Sequence, residues 1–265
     1  MAFRMVFLAV ACLAAAGLGC GPEKTDPVQP PSSGVERIGG LPAIMYGVPI
    51  TSEITTDADV VTAVEVNVPI AAVENSTVRA LSPKESFEVP FDPSSRSTFF
   101  DHLNIVFFRS GLSLPAYSEP LYALHFMGID RAVERTIDCV GEPDQPLPEN
   151  LPAGYKYLGP GLFPAEGGCV PGDGVHAVPT AAPEQQSPPG RFTATLLLGF
   201  HQGKIVHIEP MVSHALLLEK KSFSIPVPQP AKLGRKTRYP STFDARYDGA
   251  RGSFRFSFSG FREIE

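Results

Sequence analysis

Proline and glycine interrupt this chain so often that long helices are disfavoured throughout: 28 Pro and 24 Gly are spread along its 265 residues. Proline removes a backbone donor and clashes with the preceding helical turn, while glycine costs a helix about 1 kcal/mol relative to alanine. What such a chain can build is a set of short strands joined by turns. The expected fold is mainly β, an antiparallel β-sandwich or barrel-like sheet with two or so short helices and long Pro/Gly-rich loops.

Period-two alternation supports this. Val60, Thr62, Val64, Val66 and Val68 alternate with polar Glu65 and Asn67, predicting a strand with one buried and one wet face. Phe192, Ala194, Leu196, Leu198 and Phe200 predict a second strand, turned at Gln202-Gly203 into Lys204–Glu209 as a hairpin. Phe254, Phe256 and Phe258 alternate with serine and arginine after the turn signal Asp248-Gly249, with Phe243, Ala245 and Tyr247 in the preceding strand. Helices are predicted over 130–137 and 213–221, the latter closing on lysines that suit a helix C-terminus. Residues between Cys139 and Cys169, and 179–190, read as loops.

Residues 1–19 combine Arg4 with a short apolar run ending in small residues, the layout of a secretion signal and too short for a transmembrane helix of about 20 apolar residues. Cys20 follows at the place where the bacterial lipobox carries its lipidated cysteine, although Gly17 stands where that pattern prefers leucine. Cleavage after Ala14-Ala15-Ala16, leaving Cys20 as a free thiol, is the alternative. Residues 20–34 are rich in Pro and Ser and read as a flexible linker behind a lipid anchor. Residues 35–265 then make a single mainly-β domain. The expected address is the bacterial cell envelope, with the chain exported and held at a membrane through lipid on Cys20.

The formal charge is −6, and −7 once the segment carrying Arg4 is removed. That balance argues against nucleic acid, whose phosphates need clustered Lys and Arg. Lys220-Lys221 and the stretch from Lys232 to Arg238 are short and read as solvated surface. Of four cysteines, Cys12 lies in the signal and Cys20 at the anchor, leaving Cys139 and Cys169 as an even pair, a disulfide by default in an oxidising compartment. A metal site is the other use of the pair, but neither cysteine has a CxxC neighbour.

Six histidines are present, with no HExxH or HxH spacing to mark a zinc site. His207 and Glu209 are two apart on a strand and share a face, as ligands or as the polar face of a hairpin; the second reading is favoured. His125 sits among apolar neighbours and reads as a core histidine. Asp101 could orient His102 for general-base chemistry, but adjacent strand residues point to opposite faces, so a turn or capping role for Asp101 competes. Gly-x-Ser-x-Gly and a Gly-rich phosphate loop after a strand are both absent.

Several blocks in order carry a family resemblance: Phe100-Asp101-His102, Leu121–Gly128 ahead of Ile129, Cys169-Val-Pro-Gly-Asp-Gly-Val-His176, Gly199–Ile205, Ile208-Glu-Pro-Met-Val212, and the closing segment from Tyr239 to Phe261. Over residues 60–265 the chain resembles a family of exported bacterial domains of unknown function, typified by a ring-forming thermophile protein under sigma-E and anti-sigma control. The resemblance implies a polar or metal-binding cleft built from His125, His176 and Glu209. The family's segment matching Leu121–Phe126 reads His-Phe-Asp-Phe-His-Phe, and a further His lies in the loop matching 111–115. This chain has Leu121, Ala123, and Leu112 or Leu114 in those places, so any metal site is expected to be weakened. The expected function is non-enzymatic binding of a small ligand or envelope protein, with no cofactor. A divalent-metal enzyme using the His/Glu cleft is the alternative, and a stress-related ring component, a homo-oligomer, is a third.

Overall fold

Strands make up 47% of the computed structural model, which describes residues 34–113, 115–140, 147–158 and 169–265. The signal segment, Cys20 and the linker up to residue 33 lie outside the described residues. The chain opens with β1 (Val35–Gly39), β2 (Ala43–Met45), β3 (Val48–Asp57) and β4 (Val60–Pro69), then enters α1 (Ile70–Arg79). Next come β5 (Lys84–Pro90), β6 (His102–Phe108), β7 (Leu121–Met127), α2 (Arg131–Glu134), β8 (Tyr155–Tyr157), β9 (Cys169–Val170) and β10 (Gly174–Pro179). The hairpin β11 (Ala194–His201) and β12 (Lys204–Ser213) follows, then α3 (His214–Leu218) and β13 (Phe223–Pro226). The last elements are β14 (Thr237–Tyr239), β15 (Thr242–Asp248), β16 (Ser253–Ser259) and β17 (Arg262–Ile264). The fold is mainly β, and every strand pair is antiparallel.

Two large sheets face each other. One runs β1-β3-β4-β16-β15-β13 with β2 on β3; the other runs β5-β6-β7-β12-β11-β10-β8 with β9 on β10. Their inner faces are phenylalanine-rich: Phe258 meets Phe126 at 4.8 Å and Phe100 at 4.9 Å between ring centroids. Phe256, Val64 and Val66 from the first sheet share one buried core with Ile105, Leu124, Leu198 and Ile208 from the second. Both sheets stay open, so the sandwich form of the expectation is the one that fits.

On β4 Val64, Val66 and Val68 face the core as expected, but Glu65 on the expected wet face is buried too, and the pattern inverts before Val64. Thr56 pairs with Val61 and Thr55 with Ala63, so Thr62 is an extra residue, and this bulge turns Val61 inward while Val60 and Thr62 face solvent. The hairpins at Gln202-Gly203 and Asp248-Gly249 form as expected. On β11 the anticipated inner face is right for Leu196, Leu198 and Phe200, but Leu197 and Thr195 are buried too. The second sheet is therefore covered on its outer face as well, by a smaller apolar cluster that includes Tyr117, Leu158, Phe192 and Met211.

Helix α1 is the element that periodicity missed. It leaves β4 at Pro69 without a side-chain cap and carries β-branched Ile70, Val73, Thr77 and Val78, all mediocre helix formers. Packing holds it: Ile70, Ala72 and Val73 are buried, and His214 Nε2 at the start of α3 lies 3.1 Å from the Val73 carbonyl. The other helices are shorter than expected. Asp130 caps α2 by accepting from Val133 N, but Thr136 and Ile137 then make tight turns instead of extending it. Ser213 caps α3, and Lys220 at φ 57° ends it. Cys139 and Cys169 form the expected disulfide.

Candidate metal centre

Strand register builds the site on the outer face of the second sheet. His176 on β10 pairs with Gly199 on β11, Gly199 with His207 on β12, and His207 with Met127 on β7. The β7–β12 register continues so that Glu209 falls opposite His125. Period two sends His207 and Glu209 to the same face, and His125 and His176 join them from strands on either side. Gly199, in the middle of the row, leaves the space that the His207 ring fills: a Cβ there would stand 1.8 Å from His207 Cε1. The expectation that His207 and Glu209 form a wet hairpin face is therefore wrong. Both are buried, on a strand whose Met211 shares an apolar cluster with Tyr117 and Phe192 from the loops after β6 and before β11.

The four side chains converge. His125 Nε2 lies 3.4 Å from Glu209 Oε1, and His176 Nε2 and His207 Nε2 lie 3.3 and 3.6 Å from Glu209 Oε2. One ligand atom from each of the four falls within 4.8 Å of every other. A tetrahedral ion bound at about 2.0–2.1 Å would hold its ligand atoms roughly 3.4 Å apart. The residues fit such an ion. Asp173, on the turn between β9 and β10, adds a carboxylate 3.9 Å from His125 Nε2.

Electrostatics and hydrogen bonding both strain this arrangement in the metal-free state. Burial by itself would push the His125 pKa down, but the Asp173 and Glu209 carboxylates outweigh it and raise it to about 9. Glu209 is driven well below the usual carboxylate range: burial opposes its ionisation, but the His125 charge and the three imidazole contacts prevail. His207 is pushed down by burial, against the Glu209 contact. Among the described residues, neither His207 nitrogen has a hydrogen-bond partner, and Glu209 Oε2 makes only ion-pair contacts without hydrogen-bond geometry. An unsatisfied buried polar group costs about 1–3 kcal/mol, which an ion accepting those lone pairs would offset.

The centre opens on one side. A cleft of about 370 Å³ is bordered by His125, Asp173, His176 and Glu209, with Phe108, Leu112, Val170 and Met211 along its apolar wall and Lys84 and Ser113 beside them. His207 closes the opposite side, fully buried. An ion held by these four residues that expands to a fifth ligand would take it from the cleft side.

Asp101 and His102 take no part in the cluster. Asp101 precedes β6, so strand alternation does not separate the two, and Asp101 Oδ1 sits 2.9 Å from His102 Nδ1. Glu134 occupies the other ring nitrogen at 3.1 Å, and Asn104 and Arg131 hold Glu134 in turn. This network ties α2 to the sheet. Glu134 is held below its usual pKa: burial opposes ionisation, but His102, Arg131 and Asn104 overcome it.

Sequence reasoning reached His125, His176 and Glu209 through the resemblance, kept His207 as a secondary candidate paired with Glu209, and missed Gly199 and Asp173. A glycine inside an apolar strand marks close approach of another group, and Gly199 carried that signal. Asp173 lies between Gly172 and Gly174, both at positive φ, which fold the turn towards the cleft. Leu121 and Ala123 lie in the outer apolar cluster, and Leu112 lines the cleft. No family model, curated protein or solved structure matches this chain.

Proposed function

We propose that this chain is a divalent-metal protein of the bacterial cell envelope, in which His125, His176, His207 and Glu209 hold a first-row transition ion that meets a small ligand in the adjoining cleft. The observation carrying this reading is the convergence of four buried ligand atoms within 4.8 Å, with His207 left without a hydrogen-bond partner among the described residues. Three imidazoles and one carboxylate suit Zn, Fe, Co or Mn, and the absence of a thiolate from the set disfavours soft Cu(I). A fifth ligand taken from the cleft side would allow either ligand capture or Lewis-acid chemistry on what is captured. The Cys139–Cys169 disulfide supports the envelope address, because such bonds persist in oxidising compartments.

The test is metal analysis of the purified full chain, followed by Co²⁺ and Zn²⁺ titration of the chelator-treated protein. One equivalent of tightly bound ion, lost in His207→Ala and Glu209→Ala, is the expected result. Protein that is purified without bound metal and takes up neither Co²⁺ nor Zn²⁺ would overturn the reading.

A further inference from the structure

We infer that the ligand of this centre is a small monocarboxylate with an apolar body, its carboxylate on the ion and its hydrocarbon along the cleft wall; this rests on the metal reading above. Charge comes first. Three neutral imidazoles and the Glu209 carboxylate around a divalent cation would leave one net positive charge in a buried site, with Lys84 and Asp173, of opposite sign, both bordering the cleft. Leaving that charge uncompensated is costly, and a monoanion taken as the fifth ligand would remove the cost. A phosphate dianion would overshoot and need several strong donors, whereas no arginine among the described residues lines the cleft.

Shape and chemistry of the wall supply the rest. Phe108, Leu112, Val170 and Met211 present hydrocarbon and a thioether, a surface that rewards an apolar chain and offers a sugar few partners. At about 370 Å³ the cleft is near the lower end of ligand pockets, about 300–1,000 Å³, so the ligand is short. Lys84, its Nζ 5.6 Å from the Phe108 ring centroid, stands where it draws an anion towards the ion.

The experiment uses the full chain loaded with Co²⁺, whose visible bands report on the coordination shell, titrated separately with hexanoate, acetate and hexylamine and followed in parallel by calorimetry. Hexanoate is expected to shift the bands and to bind at least about tenfold more tightly than acetate, since each buried methylene contributes. Hexylamine is expected to leave the bands unchanged. Leu112→Asn should weaken hexanoate at least about tenfold while Co²⁺ affinity holds, because a neutral amide then replaces the apolar wall. Cobalt uptake with no hexanoate binding, or with hexanoate no tighter than acetate, would overturn this inference and leave the metal reading intact. Failure to take up cobalt would overturn the metal reading and this one with it.

Discussion

The imidazole of His207 fills the space that a side chain at Gly199 would need, with a Cβ at Gly199 coming within 1.8 Å of His207 Cε1 and 2.4 Å of Nε2. The two residues are direct cross-strand partners on β11 and β12. Gly199 is thus a positioning residue for a candidate ligand, through the absence of its side chain. The Gly199→Ala variant should remain folded, since its φ is not in the left-handed region, yet lose Co²⁺ affinity about 10–100-fold as the ring is displaced. Calorimetric titration beside a circular-dichroism melt separates the two effects, and unchanged metal affinity would contradict the role.

Glu209 is the hub that all three imidazoles approach. Glu209→Gln preserves shape but removes the charge that helps hold His125 protonated and that would neutralise half of a divalent ion. Metal affinity is expected to fall by more than about 100-fold, and the His125 pKa to drop from about 9. Histidine-resolved NMR titration of the metal-free protein checks the second outcome independently of the first.

The metal-free protein should be pH-sensitive in a defined direction. His125 has a folded pKa of about 9 against an ordinary 6.5, so its stabilising contribution is complete below about 6.5 and is lost as pH rises through about 9. Glu209, depressed, contributes above about 4.5 and loses that contribution as pH falls through its folded value. Melting temperature in chelator is therefore expected to decline between about pH 6.5 and 9, and the decline should be reduced in His125→Gln. Metal binding near pH 7 should also release a proton, seen as a buffer-dependent heat.

Cys139 and Cys169 are 30 residues apart, and the second opens β9, from which the chain turns through Asp173 to His176. Replacing both by serine should cost about 3–4 kcal/mol of stability in the chain-entropy model. Metal affinity should fall less than about tenfold, because β10 remains paired to β11 and keeps His176 in place. Urea unfolding and metal titration of the double variant measure the two quantities.

The β architecture was legible because alternation is local: Phe254, Phe256 and Phe258 announce their strand and their buried face without reference to any other segment. The two β-turns were legible for the same reason. Helix α1 was not, because β-branched Ile70 and Val73 are helical only where α3 and the core receive them. The bulge at Thr62 was equally hidden, since it exists only as a mismatch between β3 and β4.

The candidate site divides along the same line. Residue type and spacing put His207 and Glu209 on one strand face, and the even pair Cys139 and Cys169 pointed to a disulfide in an oxidising compartment. Whether that face would be wet or dry depended on packing by segments distant in sequence, and both residues are buried. The meeting of His125, His176, His207 and Glu209 depended on the register of three strand pairs and on the room left by Gly199. Local periodicity determines which way a side chain points; only the pairing of strands that brings together residues as far apart as His125 and His207, 82 positions, decides what it points at. The sequence by itself therefore settled a β-rich chain with its turns and candidate ligands. The tertiary structure decided that four of those candidates share one buried point, because burial and proximity are properties of packed sheets and not of any single strand.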